Sequence, residues 1–345
     1  MQALTVEPGV AHSTRVDQVD EPSGDGVLLR VLEVGVCGTD REISEGLYGV
    51  APKDEQRLVI GHESLARVER DGHGFSKGDL VCATVRRSCG HCLPCDEGAP
   101  DSCLTGDYTE HGITRLDGFA CELVLEHPDF IVPIPRSLGR LAVLAEPTSI
   151  CTRGVRHALT IGARQPWVPK RALVTGAGAI GLLSAMLLRL EGLEVCVASL
   201  EPSSSIAEAL GASYVSTKSA DLAELGPFDI VVEAAGVAQL MLDGLGRLGR
   251  SGVCCLLGID GRDGTAQIAN KVIGADTVLE NRVLFGSVNA RHRDWVAGVE
   301  ALDRARQEFP GALEELIGLR VPLDRFEEAF AYHGGKATLV IDDSE

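Results

Sequence analysis

Apolar residues fall in two different rhythms along this 345-residue chain. Up to about residue 150, short apolar runs at 27–34, 64–69, 79–85 and 121–125 are broken by Gly and Pro, as in a folded-over β domain. From about residue 170 the pattern becomes an alternation. A strand is expected at 171–175, a helix over 180–191, a strand at 194–198, a helix opening at 205–210, and strands at 229–233 and 252–257. Strands alternating with helices predict a parallel, doubly wound sheet in an α/β protein. Beyond about residue 287 come an amphipathic helix over 295–309, another near 324–332, and a closing strand at 337–341. No internal repeat is visible, and residues 162–170, with Pro166 and Pro169, form the expected hinge.

Composition narrows the class. An apolar fraction of 45% with only 4% aromatics suits an α/β protein packed with small aliphatic residues. No apolar run reaches a membrane-spanning length, and Met1-Gln-Ala-Leu-Thr5 lacks the basic and apolar regions of a signal peptide, so a cytoplasmic protein is expected. Eleven cysteines in a reducing compartment favour metal ligation over disulfides. A net charge of −18 opposes nucleic-acid binding and is also compatible with a salt-adapted surface. Cys82, Cys196, Cys254 and Cys255 lie in apolar strand-like runs and read as small buried hydrophobes.

Cys89, Cys92, Cys95 and Cys103 stand apart from these. They form C-x2-C-x2-C-x7-C among Gly, Pro and Asp, and four thiolates so spaced can wrap one tetrahedral zinc with no position left for water. Such a zinc holds a lobe together. An iron–sulfur cluster usually takes its fourth Cys three residues after the third, followed by Pro, and disulfides suit the compartment poorly.

Gly176-Ala-Gly-Ala-Ile-Gly181 is G-x-G-x-x-G directly after a strand and opening a helix. There the first Gly permits a tight turn, the second lets backbone approach a pyrophosphate, and the third allows close packing of helix on strand. Gly176, Gly178, Ala179, Ile180 and Gly181 are therefore expected to bind a dinucleotide at a helix N-terminus. Glu201 lies where an acid accepts from the ribose 2′-hydroxyl of NAD, and no Arg or Lys stands beside it in sequence. That leans toward NAD, while Ser203, Ser204 and Ser205 keep NADP open.

Chemistry must then come from the first part of the chain. Cys37, His62 and Glu146 make a workable three-ligand zinc set with a fourth position open, and an open zinc is a Lewis acid for a developing alkoxide. Taken singly, Cys37 reads as a small buried residue and His62 as a core histidine; alongside the four-Cys lobe and the dinucleotide motif, ligation is the better reading.

Cys37-Gly-Thr-Asp40, Gly61-His-Glu63, the lobe at 89–103, Glu146-Pro147 and the glycine motif occur in the order found in zinc-dependent medium-chain dehydrogenase/reductases, which the chain resembles over essentially its whole length. The resemblance implies a GroES-like catalytic domain over 1–155, a Rossmann domain over 156–287, and a segment 288–345 returning to the catalytic domain. It implies catalytic zinc on Cys37, His62 and Glu146, with Glu63 as a neighbouring carboxylate able to exchange with water in the metal shell. Thr39 would be the hydroxyl that relays the substrate proton. Within the family, Val85-Arg-Arg87, residues 109–113, residues 116–119, Glu146-Pro-Thr-Ser149 and Gly286-Ser-Val-Asn289 resemble the archaeal type of glucose (aldose) 1-dehydrogenase. In that subgroup the positions of Glu110 and Asn289 contact the sugar, Glu146 and Thr39 lie at the substrate, and Asn289 also borders the cofactor. Val85 and Ile150 stand where Asn and Asp can occur, which weakens glucose relative to sugars and polyols in general.

The expected activity is zinc-dependent hydride transfer from C1 of an aldose to a nicotinamide cofactor, giving a lactone. A dehydrogenase of another polyol, cyclitol or secondary alcohol is the alternative. A zinc-free quinone or enone reductase, or a non-catalytic dinucleotide binder, would be expected to lack Cys37, His62 and Glu146 as a set. Partners are a small sugar or polyol and further copies of the chain, as homodimer or homotetramer, with neither nucleic acid nor membrane.

Overall fold

The computed structural model describes residues 1–344, which divide into two compact units. The first comprises Met1–Glu146, Asn289–Asp303 and Ile317–Glu345; the second comprises Pro147–Val288 and Arg304–Leu316. The chain passes from the first to the second at the start of helix Ala145–Gly162, so the proline-containing stretch 162–170 lies inside the second unit. No helix among the described residues is long and apolar enough to cross a membrane.

In the first unit a seven-stranded sheet is built around Val27–Val36. One edge of this strand pairs with Glu63–Val68; the other is shared by Leu123–Glu126 and Lys336–Val340, all antiparallel. Val31, Val34, Ala83, Phe119 and Cys121 form the packed interior beside it. Gly35 sits opposite both Glu63 and Thr338. Because side chains alternate between faces, Gly35, Cys37, Glu63 and Lys336 share one face of the sheet. A small three-stranded sheet, Arg86–Arg87 with Thr109–His111 with Arg115–Leu116, carries the cysteine-rich loop.

The second unit holds the expected α/β sheet. Its six strands are parallel, in the order Ser213–Ser216, Glu194–Ser199, Arg171–Thr175, Phe228–Glu233, Leu248–Leu256, Val283–Gly286. Chain order reverses beside Arg171–Thr175, the switch point at which such sheets bind ligands. Leu173, Ala198, Phe228, Val231 and Cys254 pack its core. Burial raises the thiol pKa of Cys82, Cys254 and Cys255, which keeps them as inert hydrophobes; Cys196 is only half-buried.

Boundaries inferred from the sequence shift by one to four residues. The strand expected at 64–69 is Glu63–Val68, and the helix expected over 295–309 is His292–Glu308. Helix Ala145–Gly162 and strands Gln2–Val6, Val283–Gly286 and Ile317–Pro322 escaped the pattern reading. In the helix, Ile150, Cys151 and Val155 are interspersed with Thr148, Ser149, Arg153 and Arg156. Its buried Thr148 and Ser149 blur the apolar stripe.

Candidate active site

The four lobe cysteines converge. Their sulfurs all lie within 4.8 Å of one another, and all eleven cysteines of the chain are free thiols rather than disulfides. Cys92 caps the short helix Leu93–Asp96, Cys95 sits within it, and Cys103 follows the turn Pro100–Ser102. Hydrogen bonding from Thr105 favours the thiolate of Cys103, lowering its pKa to about 6, whereas burial raises Cys95 to about 11. Four thiols crowded this closely suit a soft dication, and a closed zinc site fits the donor set.

A second cluster sits where strand Val27–Val36 ends. Cys37 caps helix Gly38–Ser44, and its sulfur accepts from the Thr39 backbone N–H at 3.2 Å. The Asp40 carboxylate returns to the Cys37 N–H at 2.9 Å. Asp40 also lies 3.3 Å from His62 Nδ1, which turns His62 Nε2 to within 3.1 Å of Cys37 Sγ. Burial opposes the charged imidazole, but Cys37 and Asp40 together outweigh it and hold the His62 pKa well above its usual value. His62, Glu63 and Glu146 offer nitrogen and oxygen atoms within 4.8 Å of one another, all buried. Burial, and then the Glu63 charge, raise the Glu146 pKa to about 8. Glu63 and Glu146 are crowded like charges that a cation would relieve, and Cys37 belongs to a second group that shares His62 with them, so the donor types suit a zinc ion.

Glu63 has a partner that the sequence does not advertise. Both of its oxygens lie 2.6 Å from Lys336 Nζ, in a fully buried pair. Gly35 makes room for it, since a Cβ there would meet Glu63 Oε2 at 2.0 Å. Asp40, though part of the quoted motif, and Lys336 both belong to this cluster; the first was legible as an acid three residues after Cys37, the second carried no local signal. Thr39 is half-buried and its hydroxyl makes no hydrogen bond among the described residues.

The turn that follows Glu110 packs onto the loop that leads into His62. A Cβ at Gly112 would come within 2.5 Å of the Gly61 carbonyl, immediately before His62, and Gly112 has φ +68°. Glu110 is buried, and its Oε1 accepts from Arg86 Nε and from Asn289 Nδ2, each at 2.9 Å. The two residues expected at the sugar are therefore bonded to each other. Asn289 is held in the left-handed region, φ +60°. Val85 is buried and apolar, and Ile150 is half-buried.

In the second unit the three glycines perform separate tasks. Gly176 has φ +99° and abuts the Ala234–Ala235 backbone; Gly181 leaves no space for a Cβ, which would stand 1.9 Å from the Gly176 carbonyl. Gly178, the N-cap residue of helix Ala179–Leu190, has nothing within 4 Å of its missing Cβ. That open backbone at a helix start, leading into Ala179 and Ile180, suits a pyrophosphate. Glu201 is exposed past strand Glu194–Ser199; the Ser199 hydroxyl donates to it at 2.6 Å and lowers its pKa. Lys218 is near enough to add to that lowering, a neighbour that sequence order concealed.

A GroES-like unit and a Rossmann unit in one chain, with Cys, His and Glu donors gathered around His62 and a four-Cys loop, define a zinc-dependent medium-chain dehydrogenase/reductase. Residues 23–136 match the alcohol dehydrogenase GroES-like domain, and residues 139–342 match the glucose dehydrogenase C-terminus. A glucose 1-dehydrogenase of Methanocella arvoryzae is 41% identical over 342 residues, with 95% of each chain covered. That of Thermoproteus tenax is 41% identical over 342 residues, with 96% of each chain covered. The Haloferax mediterranei glucose dehydrogenase solved in complex with NADP, zinc and gluconolactone superposes with a TM-score of 0.91 at 28% identity, covering 100% of both chains. The chain belongs to the glucose 1-dehydrogenase family.

Proposed function

We propose that this chain oxidises an aldose such as glucose at C1, passing a hydride to a nicotinamide dinucleotide and releasing the hydroxyl proton, so that a lactone forms. The observation that carries this reading is His62, shared by one group of donors with Cys37 and Asp40 and by another with Glu63 and Glu146, in a chain so similar to glucose 1-dehydrogenases. Cys37, His62 and Glu146 would hold a catalytic zinc, with Glu63 as a neighbouring carboxylate, and Cys89, Cys92, Cys95 and Cys103 would hold a structural one. Bound zinc supplies a Lewis acid that lowers the pKa of the reacting hydroxyl.

The protein's own groups do the rest. Asp40 lies 3.3 Å from His62 Nδ1, and its charge favours a proton there, which leaves Nε2 as the ligand. Thr39, with its hydroxyl unengaged, takes the C1 hydroxyl proton outward. Glu110 and Asn289 receive the remaining sugar hydroxyls, since carboxylates and amides match vicinal hydroxyls as acceptors and donors. Gly176, Gly178, Ala179, Ile180 and Gly181 hold the pyrophosphate, and Glu201 reads the ribose. NAD is favoured because Glu201 repels a 2′-phosphate, with NADP accepted through Lys218.

The buried, apolar Val85 favours a second reading, a dehydrogenase of another polyol, cyclitol or secondary alcohol. A panel of aldoses, polyols and secondary alcohols with both cofactors, scored by cofactor reduction, tests both readings. Glucose oxidised with lactone as product supports the first. No aldose turned over while a polyol is oxidised transfers the function to the second.

For assembly, we propose a homodimer or homotetramer. Strand Val283–Gly286 is an unpaired sheet edge, with Leu284, Val278 and Leu279 exposed along and before it. Light scattering that finds a monomer at micromolar concentration would reject this.

A further inference from the structure

Nothing in the expected chemistry gives Arg86 a task, yet it is among the most heavily engaged side chains of the first unit. It is only 8% exposed and lies opposite Glu110 in the strand ladder. Its Nε donates to Glu110 Oε1 at 2.9 Å, its Nη1 to the Asp101 carbonyl at 3.3 Å, and its guanidinium lies 3.8 Å over the Tyr108 ring. Asp101 sits between Cys95 and Cys103, and its carboxylate accepts from Arg291 Nε at 2.9 Å. Two residues before Arg291 stands Asn289, whose Nδ2 returns to Glu110 Oε1 at 2.9 Å. The bonds close a ring: Glu110, Arg86, Asp101, Arg291, Asn289, Glu110. Asn289 has no freedom left in it, because its Oδ1 accepts from the Ala290 N–H at 2.7 Å.

The ring has a chemical consequence. Both donors converge on one Glu110 oxygen, and Oε2 has no hydrogen-bond partner among the described residues. Glu110 is therefore a carboxylate with one oxygen consumed in positioning and the other left as a fixed acceptor. We infer that Arg86 is a positioning residue for substrate recognition, setting the Glu110 carboxylate and anchoring it, through Asp101, to the four-cysteine loop. This rests on the aldose reading above. Arg suits the position and Lys does not. The planar guanidinium makes two diverging hydrogen bonds while stacked on Tyr108, whereas an ammonium is a point donor with no plane to stack.

The test compares glucose with its 2-, 3-, 4- and 6-deoxy analogues in the wild type, Glu110→Gln and Arg86→Lys, using the full-length zinc-loaded enzyme. In the wild type, deleting the hydroxyl that donates to Glu110 raises KM. In Arg86→Lys the KM for glucose should rise roughly tenfold with kcat within about threefold, and the penalty for that one deoxy analogue should collapse, as in Glu110→Gln. Zinc content and dinucleotide affinity should hold at wild-type values. Arg291→Lys, which breaks the ring at its more exposed corner, should give the same selective effect in weaker form, and it carries the test if Arg86→Lys does not fold. The inference is overturned if these variants raise KM equally for glucose and every analogue, or if the wild-type deoxy penalty persists in them. A wild type that oxidises no aldose defeats the functional reading, and the inference with it.

Discussion

Lys336 Nζ stands 2.6 Å from each carboxylate oxygen of Glu63, with both side chains buried and the two residues 273 positions apart in sequence. The pair crosses the face of strand Val27–Val36 at Gly35, where the missing side chain leaves the passage open. Glu63 is next to His62 in sequence, so Lys336 balances charge directly beside the proposed ligands.

Removing the lysine should therefore expose an uncompensated buried carboxylate. Lys336→Met is expected to destabilise the first unit by about 3–5 kcal/mol, and adding Glu63→Gln should return part of that loss. Burial lowers the Lys336 pKa, but Glu63 and Cys37 outweigh it and hold it above its usual value. The contribution is thus complete at neutral pH and fades only as pH rises through that elevated value. Thermal unfolding of the single and double variants measures it; an unchanged melting temperature in Lys336→Met would show the pair to be dispensable.

Metal-free protein should lose stability as pH rises through neutrality. The folded chain keeps a proton on Glu146 up to about pH 8 and on His62 well above its usual range, while the unfolded chain has released both. The native state binds more protons in that window, so raising the pH favours unfolding. Chelated protein should melt at a lower temperature at pH 8.5 than at pH 6, and zinc should flatten the difference by displacing those protons. Equal melting temperatures at the two pH values after chelation would refute this.

Cys92→Ser should loosen the loop without touching the chemical step. One zinc per chain, rather than two, and a lower melting temperature are expected, with kcat on the surviving folded fraction near wild type. Elemental analysis that still returns two tightly held zinc ions would count against a four-thiolate site.

Cys37→Ala and His62→Ala should each remove the other zinc and abolish turnover, while dinucleotide still quenches intrinsic fluorescence by binding in the second unit. Asp40→Asn should act more mildly, lowering zinc affinity roughly 10–100-fold by releasing the His62 ring. Turnover retained by metal-free enzyme would end the zinc mechanism.

Glu201→Ala should shift the ratio of kcat/KM toward NADP, because on the proposed reading it deletes a charge that would face the 2′-phosphate and leaves Lys218 unopposed. Lys218→Ala should shift it the other way. Strong NADP preference in the wild type would mean that the loop reads the cofactor differently.

The sequence alone carried the motif chemistry and the class of fold. G-x-G-x-x-G between a strand and a helix is a local instruction, because turn, phosphate approach and helix packing involve neighbouring residues. The four cysteines within fifteen residues are equally local, and so is the Cys37–Asp40 cap. What the tertiary structure decided is who stands beside whom across the sheet. Lys336 meets Glu63 only because strand Lys336–Val340 joins the free edge of Val27–Val36, and Asn289 meets Glu110 only because the chain returns to the first unit at residue 289. Lys218 likewise reaches the vicinity of Glu201 through the pairing of strands Glu194–Ser199 and Ser213–Ser216. Such pairings depend on register and long-range closure, which leave no periodic trace in the chain, and a buried charge identifies its partner only when the fold brings the two together.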